Sequence, residues 1–495
     1  MKKILKTLFI AILTLSVVSC DESYLDVNTD PNRPLTVSPD LILPVAQRYS
    51  VYSKDIARRT NTLGNLLMQN WSQADGYSWY QSEFEYVLNT TFYSTVWDYQ
   101  YLNALKQYHV LDLEIPNYEY YSAISKIMKA YHFQILVDTY GDIPYFEALQ
   151  RGENTTPVFD NGLLVYEDLI VKLDEAISLI STGASNLEVL APGIDDTMFS
   201  GDMTKWKQLA NTIKLRILVR QSDMAGRDAY LSTEFNKIKA EGSGFITEDV
   251  LSNPGYANQA NQQSPFWASY GQNTDNEYIN NYYATCATPF VINTLTTLGD
   301  ARIDFIYEEP ATGHLGVDQG LSNYPLPNGT LGEANVSNIG DGLLKSAEQS
   351  SVVFSLAEAE LLQAEAAFKN PSYVDGDAKS HFDKGVAASF DYLGAPDPTA
   401  YTSSGTNLAD YTASTNKLEA IITQKWIAHN GIDAIQSWFD YNRTGFPSNI
   451  PVSLSSPTPD RPVRLFWPAS EISGNGANVP LPQPDVFTTK IFWAN

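Results

Sequence analysis

Residues 353–394, VFSLAEAELLQAEAAFKNPSYVDGDAKSHFDKGVAASFDYLG, decide the fold. Val353, Ala357, Leu361, Ala364 and Phe368 recur every three or four residues, the spacing that places side chains on one face of an α-helix. After a turn at Pro371 and Gly376, a second stripe at Ala378, Phe382, Val386 and Phe390 ends at Gly394, so the segment predicts a two-helix hairpin. Ala357, Ala359, Ala364 and Ala366 are small enough to let neighbouring helices approach closely, as stacked tetratricopeptide-like hairpins require. Equivalent stripes occur at Ile124, Ile127, Tyr131 and Ile135, at Val165, Leu169, Leu173, Ala176 and Ile180, and at Trp206, Ala210, Ile213 and Ile217. The expected fold class is therefore all-α, a tetratricopeptide-like helical hairpin core with long irregular loops, although no strict repeat of about 34 residues is visible.

Between the stripes, Ser252 to Pro289 and Glu309 to Gly342 have little periodicity and are rich in Asn, Gly, Gln, Pro and Tyr. Loops of that length within a compact protein usually carry function. Gly445 to Asn495, rich in Pro and aromatics, reads as extended chain or short strand that wraps the helical body. The expected organisation is a signal segment (1–19) and one domain (20–495). That domain divides into a tether (20–45), an N-terminal helical part (46–250), a loop-rich ligand-side insertion (251–345), C-terminal hairpins (346–445) and a wrapping tail (446–495).

The N-terminus has Lys2, Lys3 and Lys6 followed by an apolar run from Thr7 to Val18, too short to span a bilayer as a helix. In LTLSVVSCDESYLDVNTDPNRP (Leu13 to Pro34), small or apolar residues directly precede Cys20, matching a lipoprotein cleavage site at which the cysteine is acylated and becomes the new N-terminus. The expected location is the outer membrane, lipid-anchored through Cys20, with Asp21 and Glu22 matching display on the cell surface. Loss of the three lysines would take the formal charge from −25 to −28. With 57 acids against 32 bases, the chain repels nucleic acid and suits a neutral ligand. Cys286, the only other cysteine, would have no partner, so packing rather than disulfides must hold the fold.

No motif of a serine hydrolase, zinc protease, nucleotide-binding loop or paired Cys-x-x-Cys site is present, so no catalytic residue is assigned. His109, His132, His314, His381 and His429 are scattered and none is given a metal role. Asp375 and Asp377 around Gly376 hint at a structural calcium loop, but the remaining ligands are missing and a turn is the better reading; no cofactor is expected. Aromatics stand out at 12% of the chain, many of them in polar surroundings. In NWSQADGYSWYQSEFEY (70–86) Trp71, Tyr77, Trp79 and Tyr80 alternate with amides, hydroxyls and carboxylates, and PFWASYGQNTDNEYINNYY (265–283) repeats the mixture with Trp267, Tyr270, Tyr278, Tyr282 and Tyr283. Flat rings stack on the C–H faces of pyranoses while amides and carboxylates bond the hydroxyls, so Trp71, Tyr77, Trp79, Tyr80, Trp267, Tyr270, Tyr282 and Tyr283 are the candidate ligand contacts. Trp97, Trp206, Trp426 and Trp438 lie in helical patterns and are expected in the core.

Several segments, in order, resemble the SusD/RagB family of nutrient-binding outer-membrane lipoproteins, most closely its second SusD-like subgroup. They are SCDESYLDVNTDPNRP (19–34), VDTYGDIPYFEAL (137–149), TPVFDNGLLVYEDLIVKLDEAI (156–177), GDMTKWKQLANTIKLRILVR (201–220) and LGDARIDFIY (298–307), followed by LAEAELLQAEAAFK (356–369), QKWIAHNGIDAIQSWFDYNRTGFP (424–447) and RLFWPASEISGN (464–475). The chain departs from the family's pattern at Ala301, where Pro is frequent, and at Asn442, where Arg is frequent. The resemblance implies a surface lipoprotein, not an enzyme, that captures a nutrient, usually a glycan, and lids a SusC-like TonB-dependent transporter. A protein-interaction scaffold without a small-molecule site is the competing expectation, because tetratricopeptide-like hairpins commonly bind proteins.

Overall fold

A computed structural model describes residues 37–112, 116–150, 152–321 and 331–494. The signal segment, Cys20 and the chain up to residue 36 lie outside the described residues. Residues Pro39–Asn495 form one compact unit. In chain order its main elements are α1 (Pro39–Asp55), α2 (Thr60–Leu67), β1 (Trp71–Gln73), α3 (Glu119–Tyr140), α4 (Gly162–Gly183), α5 (Met203–Arg220), α6 (Asp228–Glu241) and β2 (Val250–Ser252). They continue with β3 (Thr285–Ala287), α7 (Pro289–Leu298), β4 (Ser351–Phe354), α8 (Leu356–Lys369), α9 (Ala378–Leu393), α10 (Lys417–His429) and α11 (Ile435–Thr444). The architecture is mainly helical, as the stripes predict. The first helix opens at Pro39, inside the stretch expected as tether, since proline presets the backbone angle of a first helical turn.

Side-chain caps set where several helices begin. The Asn161 carboxamide oxygen accepts from the backbone N–H groups of Leu163 and Leu164, Asp202 from those of Thr204 and Lys205, Ser355 from Glu358, Asp377 from Ser380 and Asn416 from Glu419. Each satisfies donors that the first helical turn leaves without a partner, a contribution of about 1 kcal/mol. Asp377 is thus a cap, which accounts for the acidic turn at 375–377. Gly394, in a left-handed conformation (φ 76°), closes α9.

The helices pack as hairpins, α3 against α4 and α8 against α9, with α5 packed against the first and α10 against the second. The stripes of α3, α4 and α5 are buried throughout. Two features of the 353–394 stretch differ from the sequence reading. Val353 belongs to β4, which pairs antiparallel with β2, because Ser355 caps the helix only after it. Phe368, in the last turn of α8, is 40% exposed. Small residues matter as expected: a Cβ on Gly64 of α2 would stand 2.1 Å from the Ile435 backbone nitrogen, so only glycine lets α2 touch α11.

The 251–345 stretch is less irregular than its composition predicts, holding β3, α7 and the short helices Pro265–Tyr270 and Asn280–Ala284. The tail likewise contains one helix, Ala469–Asn475, but is otherwise without regular structure. It wraps the end of α3: the Leu465 N–H donates to the Thr139 carbonyl at 3.0 Å, and the fully buried Trp493 donates its indole N–H to Asp138 at 2.8 Å. Asn442, where the family often has Arg, holds this tail by donating to the Val463 carbonyl at 3.0 Å. Cys286 is buried with a free thiol. Trp97, Trp206, Trp426 and Trp438 are core residues.

His132 on α3 is fully buried, with Nε2 2.8 Å from Ser50 Oγ and Nδ1 hydrogen-bonded to the Gln100 side chain. Burial pushes its imidazolium pKa down to about 3. The unfolded chain therefore takes up this proton below about pH 6.5 and the folded chain does not, so stability must fall with acidity from there. Between pH 6.5 and 4.5 the native protein should lose about 2 kcal/mol more than His132→Gln, read from urea unfolding at each pH. Equal slopes for the two proteins would contradict a neutral buried imidazole.

Candidate functional site

The two aromatic stretches meet because β1 and β3 pair antiparallel, with Trp71 opposite Ala287, Ser72 opposite Cys286 and Gln73 opposite Thr285. The pairing runs on through Ala74, whose N–H donates to the Ala284 carbonyl at 2.9 Å. The chain then turns at Gly76 (φ 93°), an angle that favours glycine, and delivers Tyr77 and Trp79 beside the Asn280–Ala284 helix.

Trp79, half-buried, packs edge-on to Tyr77 with ring centres 6.0 Å apart. Its indole N–H donates to Asn281 Oδ1 at 2.8 Å, and the Asn281 amide donates to the Ser269 carbonyl at 2.9 Å, which fixes the carboxamide. Tyr278, 42% exposed, stacks on Tyr282 with ring centres 4.0 Å apart and planes 19° apart. Tyr283 stands edge-on to both, at 6.2 Å from Tyr278 and 5.5 Å from Tyr282. The Tyr77 hydroxyl donates to the Glu333 carboxylate and the Tyr282 hydroxyl to Glu308. Burial, with Glu333 and the nearby Tyr283, pushes the Tyr77 phenol up to about 12, so it stays a neutral donor.

Beside Trp79 lies Arg58, in a left-handed conformation (φ 60°) that is uncommon for a bulky side chain and marks a constrained site. Its guanidinium donates to the Trp79 carbonyl and pairs with Glu83 Oε1 at 3.2 Å. Burial raises the Glu83 pKa, with Arg58 opposing the rise. Arg58 and Ala57 border two adjoining hollows: one of about 230 Å³ against Trp79, Tyr80, Tyr270 and Asn281, the other of about 400 Å³ walled by polar groups including Ser82, Glu83, Asn89 and Thr91. A flat ring face next to neutral or mutually compensated polar groups suits an uncharged, hydroxyl-rich ligand.

Of the residues singled out from the sequence, Tyr77, Trp79, Tyr282 and Tyr283 fall in this region. Trp71, Tyr80 and Tyr270 are core residues beneath it; Tyr80 and Tyr270 reach only the floor of the smaller hollow, and Trp71 does not reach it. Trp71 is 0% exposed and packs edge-on to Tyr270 at 5.1 Å, Tyr80 bonds Thr285 Oγ1 at 2.8 Å, and Tyr270 bonds Thr62 Oγ1 at 2.6 Å. Asn70, Ser72 and Gln73, the polar neighbours of Trp71, are themselves buried, whereas Ser78, Gln81 and Ser82 around the buried Tyr80 are exposed, so local polarity misrepresents exposure. Tyr282 is also buried and backs Tyr278. Trp267 lies against Gly271 and, among the described residues, makes no ring contact with the others. Arg58, Glu83 and Asn281 went unnoticed in the sequence; only the Asn-rich setting of Asn281 carried a signal.

Among the described residues, no helix is long and apolar enough to cross a membrane. No curated protein matches the chain. Solved structures do: a chitin-binding protein is 24% identical with a TM-score of 0.74, covering 92% of this chain and 100% of that one. A chitin-binding SusD homologue from Flavobacterium johnsoniae is 21% identical (TM-score 0.74, covering 92% and 97%), and a SusD homologue from Bacteroides vulgatus is 20% identical (TM-score 0.74, covering 92% and 97%). At these identities the likeness establishes the shared fold. Residues 31–468 match the SusD-like_2 family model, described as starch-binding associating with outer membrane, and the chain belongs to that SusD-like family.

Proposed function

We propose that the protein is a glycan-binding lipoprotein, held on the outer face of the outer membrane by acyl chains on Cys20, that captures oligosaccharides and passes them to a SusC-like TonB-dependent transporter. The contact set is Tyr77, Trp79, Tyr278 and Tyr283, with Asn281, Arg58 and Glu83 serving the hydroxyls. The observation that carries the reading is that Trp79 lines a hollow and bonds Asn281, the residue beside Tyr282, whose ring stacks on the exposed Tyr278. The family's starch-binding description and the chitin-binding neighbours support a sugar as the ligand. The ligand is bound without turnover: Glu83, the carboxylate in the larger hollow, is buried against Arg58.

Calorimetric titration of the Cys20→Ser protein with malto-oligosaccharides and chitin oligosaccharides should give saturable binding to one of the two, with no new reducing ends. Release of reducing ends would mean an enzyme, and no binding to either would remove the glycan reading. The unaltered chain should incorporate radiolabelled palmitate and fractionate with the outer membrane, whereas Cys20→Ser should do neither.

A further inference from the structure

Behind the aromatic face, Asp304, Glu309 and His314 converge so that one ligand atom from each lies within 4.8 Å of the others. His314 Nε2 is 2.9 Å from Asp304 Oδ1, and its Nδ1 is 3.0 Å from Ser337 Oγ, which also accepts the Leu315 N–H at 3.1 Å. The imidazole is therefore held at both ends. Its side chain is 10% exposed while that of Asp304 is 59% exposed, so the cluster has a fixed wall and an open entrance. Among the described residues, no lysine or arginine forms a salt bridge with either carboxylate.

We propose that Asp304, Glu309 and His314 form a binding site for a divalent transition metal of the zinc class, with water completing the shell. Ligand atoms around a tetrahedral ion with bonds of about 2.1 Å lie about 3.4 Å from one another, so the Asp304–His314 pair, at 2.9 Å, already stands near the required spacing. Glu309 is exposed, on chain without regular structure, and closes the remaining gap by side-chain rotation. An imidazole among carboxylates selects zinc-like ions over calcium and magnesium, which prefer all-oxygen shells. Ser337 supplies the outer hydrogen bond that orients a ligating histidine.

The site's position gives it a task. Glu308, beside Glu309, accepts the Tyr282 hydroxyl, and Asn338, beside Ser337, donates to the carbonyls of Tyr282 and Thr285 at 2.9 Å each. Both walls of the metal cage thus run one residue from the groups that hold the ring beneath Tyr278. The ion cross-links Asp304, Glu309 and His314, the last already bonded to Ser337, and so stiffens the aromatic face; this second step rests on the glycan reading above, whereas the metal site does not.

The test titrates EDTA-stripped Cys20→Ser protein with ZnCl2, CaCl2 and MgCl2. One zinc per chain is expected, with calcium and magnesium at least about tenfold weaker, and zinc affinity falling at least about tenfold in both His314→Ala and Asp304→Asn. Circular dichroism confirms that each variant is folded, and either folded variant suffices. The absence of saturable zinc binding, zinc binding unchanged in a folded variant, or calcium binding tighter than zinc would each overturn the site. Oligosaccharide affinity should be at least about threefold higher with zinc than with EDTA. Equal affinities would overturn the stiffening role, while intact zinc binding without any oligosaccharide binding would sustain the metal site and defeat the glycan reading.

Discussion

Replacing Trp79 with alanine is expected to weaken oligosaccharide binding at least tenfold, a loss of about 1.4 kcal/mol, with little change in the unfolding midpoint. The indole is half-buried and anchored through one hydrogen bond, to Asn281, so the face presented to a sugar is set before the ligand arrives. Truncation removes the stacking surface and leaves Asn281 Oδ1 without its indole donor, while the bond to the Ser269 carbonyl still holds the carboxamide. Tyr278→Ala should have a similar effect, because Tyr278 is the exposed half of a stacked pair whose buried half, Tyr282, would remain. Trp71→Ala should behave differently. It empties a fully buried site beneath the face, so it should cost about 3–5 kcal/mol of stability before it alters affinity. Calorimetry on the three variants, paired with urea unfolding, separates the surface rings from the core rings. Unchanged affinity in Trp79→Ala would remove it from the contact set.

Arg443→Leu is expected to lower the unfolding free energy by about 3–5 kcal/mol, because it leaves carboxylates buried without their counter-charge. The Arg443 side chain is 0% exposed and reaches Glu365 at 2.6 Å, Asp223 at 3.1 Å and Asp440 at 3.3 Å. Burial disfavours its charge, and Glu365, Asp440 and Asp223 more than restore it, so its pKa rises. Lys425 joins the group through Asp440 at 2.7 Å. Glu365 comes from α8, Lys425 from α10 and Arg443 from α11, so the network ties separate hairpins together. A stability loss below about 1 kcal/mol would mean that the network offsets only its own desolvation. Oligosaccharide binding should be retained in a folded Arg443→Leu protein, because Arg443 lines neither hollow.

The network also shows why helix positions were easier to read than helix contacts. The stripes of α4, α5, α8 and α9 follow from apolar spacing alone. By contrast, Arg216, Arg220, Arg302 and Arg443 sit on those or neighbouring elements with side chains at most 3% exposed. Their sequence neighbours gave no sign of burial. Arg302 is satisfied by Asp300 two residues earlier, with Nε 2.9 Å from Oδ1 and Nη2 2.6 Å from Oδ2, and also by Gln424 from α10 at 2.6 Å. The short Asp300-Ala301-Arg302 segment keeps this pair although proline is frequent at its centre in the family. Arginine there is a core residue because partners from distant segments reach it.

The sequence by itself determined the helical scaffold, because period and capping residues act within a few positions of the chain and need no distant partner. It also marked two aromatic stretches. Which rings face outward was decided by tertiary structure, through the register of β1 against β3, which buries Trp71, Tyr80 and Tyr270 and leaves Trp79 and Tyr278 at the surface. That register joins residues more than two hundred positions apart, a separation over which local polarity carries no information about exposure. Arg58, Glu83 and Asn281 enter the site for the same reason: chain segments that meet only after folding place their charges and amides beside the rings.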